Sequence, residues 1–259
     1  MSRWLLAVAV LALAGCVTES ESVFTEKASP KAAMQQRLTL ARQYIGRGNY
    51  EDAKRNLTVA VGIDDSNAEV HEAFALVYQS TGEFELAEQS YRRAIALDRN
   101  FSRARNNYAA FLYGQARYRE AEEQLSEVVK DTLYQARAQA FLNLGLCRLQ
   151  LFDETGAEQA FMRTLAMQGD NSIALLEVAQ LRLKAGDSRN ASIYYGKYRD
   201  VVRQQSARGL WFGVRLARAR GDRDAESSYA LALRNRYPES VEYEAYRRSL
   251  DDQALIQGR

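Results

Sequence analysis

The chain has 259 residues, with 35 lysines and arginines against 33 aspartates and glutamates, for a formal net charge of +2. Acids and bases are interspersed, so no basic stripe of the kind that binds nucleic acid is present, and a single histidine leaves no partner for a histidine-rich metal site, a triad or a proton shuttle. Gly and Pro are scarce, β-rich runs are absent, and Ala, Leu, Glu, Gln and Arg dominate, which predicts an all-α chain.

The first predicted element is a leader over residues 1–15. Arg3 is followed by an apolar run from Trp4 to Ala14 that is too short to cross a bilayer, the pattern of a bacterial secretory signal. It ends in Leu13-Ala14-Gly15-Cys16, which resembles the lipobox of bacterial lipoproteins. That resemblance implies that Cys16 is lipidated and becomes the mature N-terminus. The alternative is an ordinary signal peptide with an incidental cysteine. Several acyl chains on one residue anchor stably where one is marginal. Val17 rather than aspartate follows the cysteine. By resemblance to sorted lipoproteins, this implies the inner leaflet of the outer membrane, facing the periplasm. Residues 16–33 are rich in Ser, Glu, Thr and Lys, include Pro30 and lack helical periodicity. They read as a flexible tether able to span roughly 20–25 Å.

From Met34 the chain becomes periodic. Alanines recur at Ala53, Ala87, Ala121, Ala157, Ala191 and Ala225, in steps of 34, 34, 36, 34 and 34 residues. Twelve positions before each lies a small residue: Ala41, Ala75, Ala109, Gly145, Ala179 and Gly213. Four positions after each lies a large one: Leu57, Tyr91, Leu125, Phe161, Tyr195 and Tyr229. Small side chains at a helix crossing let two backbones approach, and the large residue fills the adjacent gap. A 34-residue period with this helix-turn-helix content is the tetratricopeptide signature. The predicted array spans residues 34–250, with six repeats at about 34–67, 68–101, 102–135, 138–171, 172–205 and 206–239. The two extra residues fall within Lys130–Arg137, and Phe152-Asp153-Glu154 stands where the other turns carry glycine or its neighbours. Pro238 ends the sixth repeat, and a capping helix is expected over residues 240–250. The fold expected is a tetratricopeptide superhelix of about six repeats plus that cap.

In such an array the first helix of each pair lines the concave side. Counting inward-facing positions along these helices gives Leu38, Arg42 and Ile45; Glu72, Leu76 and Gln79; Asn106, Ala110 and Tyr113; Leu142, Leu146 and Leu149; Leu176, Gln180 and Leu183; and Leu210 and Val214. Asn107 and Asn143 occupy equivalent positions in adjacent repeats and resemble the groove asparagines with which other tetratricopeptide proteins hold a peptide backbone. Amide side chains donate and accept together, which suits that task. The asparagines could equally satisfy local backbone groups or face water, and the apolar groove positions could equally be inter-repeat core. The partner-binding set is therefore Leu38, Arg42, Ile45, Leu76, Gln79, Asn107, Tyr113, Asn143 and Leu146. Half-exposed or packed, His71 reads as structural. Cys147, alone once Cys16 is acylated, reads as a small apolar core residue, with a reactive thiol as the alternative.

The stretch from Asn106 to Leu125, with Asp131-Thr132-Leu133-Tyr134 and Phe141-Leu142-Asn143-Leu144-Gly145-Leu146, resembles the type IV pilus biogenesis and stability lipoproteins, the PilF/PilW family. The resemblance covers about residues 33–248 and includes the interruption between repeats three and four. It departs at Ala109-Ala110, where the family leads one to expect a glycine. What it implies is a pilotin: a non-enzymatic lipoprotein that helps the outer-membrane secretin of the type IV pilus to reach the membrane and oligomerise. It implies no cofactor, metal, nucleic acid or small-molecule substrate. The competing function is that of an adaptor for another envelope complex, such as cell-wall hydrolases or outer-membrane protein insertion. An enzyme is disfavoured because no residues remain outside the array for a catalytic domain and no Gly-rich phosphate loop is present.

Overall fold

Ser29 and Pro30 start the first helix. The Ser29 side chain accepts a hydrogen bond from the Ala32 amide at 3.3 Å, and Pro30 takes the first helical position, where its missing N–H costs nothing. The computed structural model describes residues 29–257. The leader, Cys16 and the tether as far as residue 28 lie outside the described residues, while the last part of the predicted tether, from Pro30, is helix.

Thirteen helices and no strand occur among the described residues. They are α1 (Pro30–Gly46), α2 (Tyr50–Ile63), α3 (Ala68–Thr81), α4 (Phe84–Leu97), α5 (Ser102–Gly114), α6 (Tyr118–Val128), α7 (Arg137–Gln150), α8 (Glu154–Met167), α9 (Ser172–Lys184), α10 (Ser188–Val201), α11 (Ala207–Ala219), α12 (Arg223–Arg236) and α13 (Val241–Gln257). This is an all-α tetratricopeptide fold. The final helix runs to Gln257, seven residues past the end expected for the cap.

The chain divides into two compact units, one ending at Ser66 and one beginning at Asn67. In the first, α1 packs on α2. Met34, Leu38 and Ala41 form one buried stripe of α1, and Ala53, Leu57 and Ala60 one of α2. In the second unit α3 pairs with α4, α5 with α6, α7 with α8, α9 with α10 and α11 with α12, and each second helix leans on the next first helix. Contacts of α3 with α5, α5 with α7 and α9 with α11 set the first helices in a row along one side. Asn67, Asp153, Asn171, Asp187, Ser206 and Asp222 cap helix starts through their side chains, which satisfies amides the helices leave unpaired.

The three residue columns are the core. All six small residues from Ala41 to Gly213 are buried. Leu57, Tyr91, Leu125, Phe161 and Tyr195 are buried beside them, each such burial stabilising by about 1.5–3 kcal/mol. Of the periodic alanines, Ala53, Ala87, Ala121, Ala157 and Ala191 are completely buried, whereas Ala225 and the large residue after it, Tyr229, are only half-buried. The seam therefore opens in the last repeat, where α13 is the final element laid against it.

Four of the six turns within hairpins use a glycine in the left-handed region: Gly48, Gly82, Gly186 and Gly221, with φ of 75, 82, 80 and 72°. Ala116 and Phe152 adopt the same conformation at φ 56 and 61°. The turn of repeat four thus keeps its geometry without its glycine, and the Phe152 side chain is 89 % exposed. A β-carbon is disfavoured there by about 1 kcal/mol, and little apolar burial opposes its removal. Phe152→Gly is accordingly expected to melt at or slightly above the wild-type temperature in a circular-dichroism scan; a clear fall would mean that the ring makes stabilising contacts.

An ion-paired cluster drawn from α4, α5 and the start of α6 ties repeats two and three. Arg117 at the start of α6 grips both oxygens of Glu88 on α4 at 2.8 and 2.9 Å, Tyr108 donates its hydroxyl to the same carboxylate at 2.9 Å, and Arg92 pairs with it at 2.6 Å. The Arg117 hydrogen bonds lead in pulling the Glu88 pKa down from 4.5 to about 2, against partial desolvation. A carboxylate held below its unfolded value adds stability above that value and loses it as the pH falls. The contribution, about 1 kcal/mol after solvent screening, is therefore present at neutral pH and disappears between about 4.5 and about 2. Glu88→Gln is expected to lower stability at neutral pH and to flatten the acid limb over that window, read from urea midpoints at a series of pH values.

Candidate functional site

The row of first helices carries side chains that do not enter the hairpin seams and so can meet a partner. In the first unit Leu38 is fully buried, whereas Arg42 and Ile45 are half-buried. Leu38 lies on the same stripe as Met34 and Ala41, at four- and three-residue spacing, so it belongs to the α1–α2 core and corrects the expectation of a groove position.

In the second unit Leu76, Gln79, Asn107, Tyr113, Asn143 and Leu146 are all half-buried on α3, α5 and α7. Leu76 and Tyr113 pack against the core around Tyr91 and Leu112, and Leu146 against the core around Phe161 and Leu142. Tyr113 also meets the Tyr118 ring edge-on, with centroids 5.1 Å apart. These side chains do both jobs that the sequence left open: one part packs between repeats and the rest faces outward.

The amides are committed to other side chains, the glutamine within its own hairpin and the two asparagines across to the preceding repeat. Gln79 accepts the Tyr91 hydroxyl proton at 2.8 Å. Asn107 donates to Glu72 at 2.8 Å across 35 residues of sequence, and Asn143 donates to Asn106 at 3.4 Å while accepting from Gln139 at 2.9 Å. The two asparagines are thus bonded to side chains, neither to their own backbone nor solely to water. A peptide backbone would reach them only by competing with those bonds.

Two buried acids escaped the sequence reading as anything but positions in a count or not at all. Glu72 is 1 % exposed and Glu177 3 % exposed, and each is met by an arginine 31 residues further on. Arg103 approaches Glu72 at 3.5 Å; Arg208 forks Glu177 with contacts of 2.5 and 2.8 Å. Buried carboxylates persist only with such partners. The repeated Glu-to-Arg spacing is the signal that could have found them. Cys147 is buried and its thiol is pushed up to about 12, chiefly by burial and then by the Glu122 charge, so it is a poor nucleophile. His71 is half-buried on α3. Among the described residues no cluster of His, Cys, Asp or Glu is arranged to hold a metal, and no helix is long and apolar enough to cross a membrane.

Residues 68–101, which form α3, α4 and the turn after them, match the tetratricopeptide repeat family. The chain is 39 % identical over 239 residues to the type IV pilus assembly protein PilF of Pseudomonas aeruginosa, covering 90 % of this chain and 93 % of that one. An uncharacterised protein of Haemophilus influenzae is 32 % identical over 132 residues, 51 % of this chain and 72 % of its own. The solved structure of Pseudomonas aeruginosa PilF superposes with a TM-score of 0.78, covering 85 % of this chain and 99 % of that chain at 39 % identity. That of PilW, described as a widely conserved type IV pilus biogenesis factor, superposes with a TM-score of 0.70 at 27 % identity, covering 82 % and 97 %.

Proposed function

The chain belongs to the family of the type IV pilus assembly protein PilF, and on that premise we propose that it is a lipid-anchored pilotin: a non-catalytic assembly factor for the outer-membrane secretin of the type IV pilus. A tetratricopeptide protein of pilus biogenesis acts by holding other polypeptides. The anchor at Cys16 fixes it to the inner leaflet of the outer membrane, where a secretin subunit must arrive. The row of first helices of the second unit holds a segment of that subunit, using half-buried apolar side chains such as Leu76, Tyr113 and Leu146. Apolar side chains that are partly solvated lose water when a partner covers them, which supplies a driving force without any chemistry.

The observation that carries this reading is identity to a pilus assembly protein along nearly the whole of both chains. Affinity capture of the chain from envelope extracts is expected to retain the secretin; its clean absence at high expression would overturn the proposal. Cys16→Ser is expected to move the protein from the outer-membrane fraction to the soluble periplasm and to reduce assembled secretin there. If the variant still sediments with outer membrane in cells lacking the secretin, the anchor is wrong.

A further inference from the structure

The row of first helices ends in a cleft that is short of hydrogen-bond acceptors. Its volume is about 370 Å³, and its walls are drawn from α7, the start of α8, α9 and α11. Its lining includes Leu149, Leu181 and Leu183 together with the cations Lys184, Arg208 and Arg215. Two of these cations are already neutralised, Lys184 by Glu154 and Arg208 by the buried Glu177. Arg215 is not. Among the described residues it has no carboxylate within ion-pairing distance, and its one polar contact inside the cleft is a long 3.4 Å bond to the Gln180 amide oxygen. The Gln180 amide nitrogen is itself buried with no acceptor. The Arg215 guanidinium lies over the rings of Trp211 and Phe212, 5.8 and 5.6 Å from their centroids, which holds it in place. Partial desolvation, and then repulsion from Arg208, lower its pKa from the ordinary arginine value.

We infer that this cleft binds an acidic side chain of an extended peptide segment, the carboxylate meeting Arg215 and a neighbouring apolar side chain meeting the three leucines. Charge is the argument. The cleft holds three cations and two carboxylates, and Arg215 is the cation left unmatched beside the three leucines that share the lining. An arriving carboxylate would complete a charge-assisted bond that none of the described residues provides. The inference rests on the reading of the first-helix row as a peptide-binding face, but not on the identity of the partner.

Trp211 is the one tryptophan among the described residues and touches the proposed ligand's counter-charge, so its emission reports occupancy. The test titrates the purified full chain carrying Trp4→Phe, which leaves Trp211 as its one tryptophan, with an N-acetylated, C-amidated peptide alternating aspartate and leucine, and with a twin bearing asparagine for aspartate. The aspartate peptide is expected to perturb Trp211 emission and to bind at least about tenfold more tightly than its twin. Arg215→Gln, with an unchanged helical circular-dichroism spectrum, is expected to remove that preference, and added salt to weaken the aspartate peptide selectively. Equal binding of the two peptides, or an Arg215→Gln variant that keeps the preference, overturns the proposal. So does a preference that appears only when the peptide's C-terminal carboxylate is left free, since the ligand would then be a chain end. No secretin enters this assay. Failure here leaves the pilotin reading standing, and failure of secretin capture leaves the cleft standing.

Discussion

Gly145→Leu is expected to cost about 3 kcal/mol, the upper part of the range for overpacked cores, and to lower the melting temperature accordingly. Gly145 sits on α7 where that helix crosses α8, and even a β-carbon there would collide with the Phe161 ring. That ring is completely buried and forms a cluster with Leu142, Ala157, Ala174 and Val178, so it has nowhere to retreat. Alanine is a weaker test, because the clash is partly offset by the better helix propensity of alanine over glycine, worth about 1 kcal/mol. Leucine leaves no such ambiguity. The converse change, Phe161→Ala, opens a cavity and is expected to cost about 3–5 kcal/mol by itself. Combined, the two changes exchange volume across one contact, so the double variant is expected to lose about 1–2 kcal/mol less than the sum of the singles. Strict additivity in urea unfolding would mean that the two side chains do not share a space.

That prediction was within reach of the sequence, and the reason is physical. A hairpin that must cross at one point every 34 residues imposes the same volume constraint each time, so Gly145 and Phe161 appear as members of columns before any coordinates are known. The constraint relaxes where no further repeat follows, which is why Ala225 and Tyr229 fit the columns and yet are half-buried. The amide bonds between repeats carry no such imprint, unlike the Glu-to-Arg pairs with their shared spacing. Asn107 satisfies Glu72 and Asn143 satisfies Asn106 because particular rotamers meet across a seam, and a different pair of amides does something else elsewhere. The asparagines therefore read equally well as peptide contacts or as bystanders until their partners are seen. Leu38 departs from the groove expectation for a related cause: along α1 the stripe facing α2 and the stripe facing outward are adjacent, and only burial separates them. The helix start at Pro30 was legible from Ser29-Pro30 but was masked by the polar composition of the preceding stretch.

Arg208→Ala is expected to be the more damaging of the two ways of breaking the α9–α11 ion pair. Glu177 is 3 % exposed, and Arg208 donates to both of its carboxylate oxygens, at 2.5 and 2.8 Å. Removing the arginine strands a buried charge, which in fully enclosed pairs costs about 3–5 kcal/mol. Here the Arg208 side chain is 48 % exposed, so water can enter where it stood and the expected loss is nearer about 2 kcal/mol. Arg208→Lys keeps the charge but loses the fork, since an ammonium cannot bond both oxygens in a plane, and should fall between wild type and alanine. Replacing both partners, with Glu177→Leu and Arg208→Met, removes the stranded charge together with the need to desolvate it, and is expected to recover most of the stability lost in Arg208→Ala. Urea midpoints for the four proteins decide the matter. If the double replacement is as unstable as the single alanine variant, the pair is not merely tolerated but contributes a bond that an apolar contact between α9 and α11 cannot replace.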